Sequence, residues 1–145
     1  MKYLFILASL FAFQLANAQN NLPDLNGEWT ISIDQQSDDN PVAYEMIVNI
    51  KQTGARVIGE FNFVLKDIPL PFDKELKGVK GFKTPFSGQI YKGHIRMDYE
   101  NVNPGIDQFG SAMIKIISDK KMEGHFLGFG PETQEIVVGT LTFSR

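Results

Sequence analysis

From Gly27 to the end of the chain, apolar and polar residues change places at almost every step. In "GEWTISI", Trp29, Ile31 and Ile33 share one face and Thr30 and Ser32 the other, which is the two-residue period of a half-buried strand. "AYEMIVNIKQ" puts Tyr44, Met46, Val48 and Ile50 on one side. "TGA" then turns the chain into "RVIGEFNF", with Val57, Phe61 and Phe63 inward, so these two segments form a hairpin. A second hairpin joins "FSGQIY" to "HIRMDYE" through Lys92-Gly93. "SAMIKIIS", "MEGHFLGF" and "EIVVGTLTF" complete a meander of eight predicted strands.

Eight antiparallel strands joined mostly by short turns, with no helical period between them, predict an all-β fold. The expected form is an up-and-down barrel closed on itself, with a long loop between strands three and four. Glycines inside strands, at Gly59, Gly88, Gly124, Gly128 and Gly139, suit the tight bends and close backbone approaches of a barrel. A barrel of this size is either filled by its own side chains or hollow enough for one small ligand. The sequence leaves that choice open.

The loop "GFGPET", Gly128 to Thr133, looks at first like a phosphate-binding turn. Such a turn leads into a helix whose amides face the phosphate, whereas here "QEIVVGTLTF" reads as a strand. Gly130 and Pro131 therefore read as an ordinary turn.

The first 18 residues follow a different plan. One lysine precedes an apolar run from Tyr3 to Phe13, and the segment ends in Ala16-Asn17-Ala18, the pattern of a secretory signal peptide cut before Gln19. The run is shorter than the ~20 residues that span a bilayer, and no cysteine follows it to carry a lipid, so no stable membrane anchor is expected. The expected organisation is a signal peptide over 1–18 and one barrel domain over 19–145, secreted or periplasmic. Loss of Lys2 leaves a mild net charge of about −4 without an arginine-rich face, which argues against nucleic acid as a partner. With no cysteine in the chain, disulfides, thiol catalysis and zinc-thiolate sites are excluded.

"LNGEW", Leu25 to Trp29, resembles the G-x-W start of the first strand in the lipocalin and avidin-like barrels of the calycin group. "VGTLTFSR", Val138 to Arg145, is similar to the last strand of avidins. The resemblance implies that Trp29 plugs the closed end and that Arg145 lies over it. It does not extend to a biotin site. Trp29 is the single tryptophan, and Ile31 stands where avidins direct an asparagine at the ureido oxygen.

Candidate chemistry is sparse. His94 and His125 sit at outward positions without metal-ligand spacing, and no G-x-S-x-G elbow is present, so no catalytic residue, metal or cofactor is assigned. The long segment from Val64 to Phe86 is too apolar for simple disorder and is expected to fold onto the barrel, either as a lid over the open mouth or packed against the flank, with room for a short helix near Asp73 to Leu76. The connection from Asn101 to Gly110 follows strand five as the first follows strand three, so both belong to one end. Phe61, Phe63 and Tyr99 at that mouth, with Ile68, Leu70 and Phe72 from the loop, are the predicted ligand-binding residues. The function expected is an exported barrel that binds or carries a small apolar or aromatic molecule. An interaction or inhibitor module acting through its loops, and an isomerase- or cyclase-type barrel enzyme, stand as alternatives. The oligomeric state is left open.

Overall fold

A computed structural model describes residues 22–36, 42–64, 81–101, 107–130 and 135–145. Its eight strands are β1 (Gly27–Gln36), β2 (Val42–Thr53), β3 (Arg56–Val64), β4 (Gly81–Tyr91), β5 (His94–Glu100), β6 (Phe109–Ser118), β7 (Lys121–Phe129) and β8 (Ile136–Ser144). Each pairs antiparallel with the next, and β1 pairs with β8, which closes the barrel. The up-and-down topology is the one the alternation predicts.

Inward positions follow the two-residue period. Trp29, Ile31 and Ile33 on β1, Met46, Val48 and Ile50 on β2, and Ile95 and Met97 on β5 are all buried, and the residues between them face out, polar except for Ile47. The tight turns lie at one end, at Gly54–Ala55, Lys92–Gly93 and Asp119–Lys120. Lys92 and Gly93 both have positive φ, 47° and 76°, as a two-residue hairpin turn of the I′ kind requires. A register shift between Ile116 and Ser118 bends β6 at that same end.

Three strands are longer than the hydrophobic pattern indicates. Gly81–Phe86, expected to be part of the loop, is the first half of β4: Phe82, Thr84 and Phe86 face inward and Lys83 and Pro85 outward. Pro85 is tolerated because it lies beyond Phe86↔Tyr99, the last registered pair with β5, so one side of the strand is already an edge there. β1 likewise continues past Ile33 to Gln36, which brings Gln35 onto the inner face. Phe109 and Gly110, expected in a connection, open β6. The expected signal segment, residues 65–80 with Ile68, Leu70 and Phe72, and the possible helix at Asp73 to Leu76 lie outside the described residues.

Several inner positions lack a side chain so that an aromatic neighbour can lie flat against the wall. Gly59 faces Phe86 across the β3–β4 pair and Gly139 faces Phe126 across β7–β8, and a Cβ at either glycine would overlap the ring. Tyr99 reaches further, its hydroxyl over both Gly110 and Gly128. The rings make up the apolar surface the glycines omit, and the omitted Cβ atoms let the strands curve.

The end carrying the tight turns is closed. Trp29 is fully buried, meets Phe143 edge-on at 6.5 Å, and donates its indole N–H to the Leu25 carbonyl at 2.9 Å. The Arg145 guanidinium stacks 4.5 Å above the indole and donates to the carbonyls of Asn26, Asp24 and Asp119 at 2.6, 2.7 and 2.7 Å. Gln52 holds the entering segment from the other side: its Oε1 accepts the Leu25 N–H, and its own N–H goes to Asn26 Oδ1. Asp24 accepts both N–H groups of Asn26, backbone and side chain. Those bonds hold its carboxyl below the ordinary 3.8, Arg145 adding to the effect against the opposing influence of desolvation.

Candidate functional site

Odd strands end, and even strands begin, at the rim opposite Trp29. All four connections of that end, between β1 and β2, β3 and β4, β5 and β6, and β7 and β8, are longer than the turns at the closed end. Just inside this rim is a small cavity of about 40 Å³. Ile33, Val137, Leu141 and Phe126 bound it on one side and Phe61, Phe63 and Tyr99 on the other, with Gln35, Gln108, Phe129 and Gly130 completing it.

The aromatic side is a continuous wall. Phe61 packs on Phe86 at 4.7 Å between ring centres and meets Tyr99 edge-on at 5.9 Å, while Phe63 stacks on Phe82 at 4.6 Å. Behind it, polar groups satisfy one another. The fully buried Thr84 hydroxyl donates to Gln108 Oε1 at 2.5 Å and accepts from Asn101 Nδ2 at 3.1 Å. The Asn101 N–H bonds the Gln108 carbonyl at 2.7 Å, so the start and end of the β5–β6 connection are tied together.

Gln35 differs from this network. Its residue is 4% exposed and lines the cavity; no hydrogen bond joins its carboxamide to the described residues, and none of its polar atoms is both fully buried and unpaired, so the amide opens onto the cavity's solvent space. It points inward by parity alone, as the fourth inward position after Trp29, Ile31 and Ile33, with its backbone held between Val42 on β2 and Gly139 on β8. The cavity has room for a few water molecules to meet it. The same group is open to a ligand carrying a donor or acceptor.

The predicted residues separate into three sets. Phe61, Phe63 and Tyr99 come together at the cavity as expected. Ile68, Leu70 and Phe72 fall outside the described residues. Trp29 and Arg145 stack at the opposite end, where the resemblance puts them. Gln35 and Gln108 were not anticipated, because "DQQ" after a short strand and "DQF" before another read as loop. Phe126, which was not singled out as a ligand contact either, joins the cavity wall because it lies across Gly139.

His94 and His125 are exposed on the outer wall, as their parity predicts. They border a broad depression of about 600 Å³ with Lys115, Glu123 and Thr140, but it is an open surface whose polar groups all face solvent. Among the described residues no group of three His, Cys, Asp or Glu side chains could hold a metal ion. The inner cavity's amides can bind and orient a group, but carboxamides do not exchange protons near neutrality.

No protein-family model matches the chain, and no curated protein matches it. Among solved structures the chain is similar to a redesigned β-barrel, with a TM-score of 0.59 and 8% sequence identity over 83% of this chain and 90% of that one. At that identity the likeness concerns the fold: a closed, eight-stranded antiparallel barrel without helices among the described residues.

Proposed function

We propose that the protein is an exported β-barrel that binds a small, largely apolar or aromatic molecule at its open end. The observation that carries this reading is Gln35, an amide without a partner among the described residues that opens onto a cavity otherwise walled by Phe61, Phe63, Tyr99 and Phe126. An apolar cavity with few convergent polar groups is the usual make-up of a small-molecule site. The enclosed space is far below the roughly 150 Å³ of a cavity that holds benzene. The ligand's hydrogen-bonding tip therefore enters toward Gln35, and its apolar bulk stays at the rim among the aromatic side chains. The stacked Trp29–Arg145 pair supports kinship with the calycin barrels, and the apolar run before Ala16-Asn17-Ala18 supports export.

The test combines native mass spectrometry of protein recovered from its own source with titration of a solvatochromic naphthalene dye. A co-purifying small molecule, and dye binding that weakens at least tenfold in Gln35→Leu while the fold is retained, are the expected results. A wild type that carries no small molecule and binds no apolar probe would mean that the barrel is filled and the reading is wrong.

A further inference from the structure

The outer wall carries a feature that the cavity does not explain. On β6, β7 and β8 most outward positions nearest the rim are apolar: Phe109, Met113, Leu127, Ile136 and Val138 are each between 46% and 71% exposed, with the exposed Ser111 standing between Phe109 and Met113 on β6. The register makes them neighbours. Phe109 lies opposite Phe129, which lies opposite Ile136; one row further in, Leu127 lies opposite Val138; Met113 follows in the next row, opposite His125. Phe109 and Phe129 stack face to face, 5.4 Å apart with rings 6° from parallel, which flattens the surface at the rim. Five such side chains leave a continuous apolar area on the order of 500 Å², at the upper end of what a soluble monomer exposes.

We propose that this face binds a second copy of the same chain through a two-fold axis. Three observations select that occupant. Patch against patch, with its rim included, the contact reaches the total of about 1,200 Å² at which specific interfaces begin. The surface is a twisted sheet face, and the shape that best fits one is another of equal twist, packed with strands nearly aligned. The border on β5 and β6 carries both signs and its own hydrogen bonds, with Arg96 beside Asp98 and Ser111 donating to Asp98 at 2.9 Å, which is the polar rim of an interface. Asp98, Glu100 and the chain's net charge of −3 disfavour an anionic membrane surface in the same place.

The test is sedimentation equilibrium on protein recovered from cells expressing the full 145-residue chain, at concentrations up to about 100 µM. A dimer is expected, and Leu127→Asp should weaken its association at least a hundredfold while the circular dichroism spectrum and melting stay native. Val138→Lys on the neighbouring strand is the second probe should Leu127→Asp not fold. Ile47→Asp, an equally exposed apolar position on β2 away from the patch, should leave association unchanged. A monomeric wild type, or a dimer indifferent to Leu127→Asp and Val138→Lys, overturns the proposal. A monomer that instead floats with liposomes assigns the face to lipid. Neither result bears on dye binding at Gln35, so failure here is separate from failure of the ligand reading.

Discussion

The two ends of this barrel are built from the same strands and differ in what their polar groups do. At the closed end the indole N–H, the guanidinium and the Gln52 amide each have a named partner, and their combined effect is to staple residues 24–26 across the opening. At the open end Thr84, Asn101 and Gln108 form a comparable network, yet Gln35 beside them has none among the described residues. The contrast separates groups that hold the fold from a group that opens onto the cavity. A few polar groups on an apolar cavity are where binding is sought.

The largest effect should come from breaking the closed end. Trp29→Ala removes a fully buried side chain together with the surface under Arg145, and should lose about 3–5 kcal/mol in chemical denaturation followed by circular dichroism. An unchanged denaturation midpoint would remove the plug from the account of stability. Arg145→Ala should cost less, about 1–2 kcal/mol, because the residue is exposed and water can replace it at the three carbonyls. A red shift of Trp29 fluorescence should accompany it, since the ring would lose its cover.

The open end should respond in the opposite sense. Gln35→Leu replaces an unpartnered amide by an apolar group of similar size, so stability should stay within about 1 kcal/mol of wild type or rise. A loss above about 2 kcal/mol would show that the amide is structural and would erase the distinction between the ends. The smallest effect belongs to Asp24. Its folded pKa lies below the ordinary value, so its contribution is fully present above the unfolded carboxyl's pKa and is lost as pH falls through the folded one. Asp24→Asn should therefore be less stable than wild type near pH 6, and the gap should narrow as pH falls below the ordinary carboxyl value of 3.8 in urea titrations.

How much of this was legible beforehand follows from the alternation itself. Where apolar residues occupy every second position, as at Trp29, Ile31 and Ile33 or at Ile95 and Met97, the strand, its facing and its partner order could be read directly. Near the open end the inner face carries Gln35 and Thr84, and polar residues at inward positions break the period that marks a strand. The same substitution of polar for apolar that makes the cavity capable of recognition hides its strands as loop. Pro85 concealed β4 further, since a proline reads as a stop unless one edge is known to be free. The outer patch was hidden for the converse reason: Leu127 and Val138 look like core in any alternating strand until the register shows which way their neighbours point.

The pairing of β1 with β8 also sets the order of events in time. Ile31 lies opposite Phe143, so the first strand to be made waits for the last before either has both neighbours. Hairpins such as β4–β5, joined by two residues, can form within microseconds, but the ring shuts after a loop spanning nearly the whole described chain has been brought together. Until then β1 is an open edge able to pair with another chain. Arg145, placed just after β8 and bonded to the carbonyls of Asp24 and Asn26 just before β1, acts on that final step: it fastens the two margins once they meet and slows their parting.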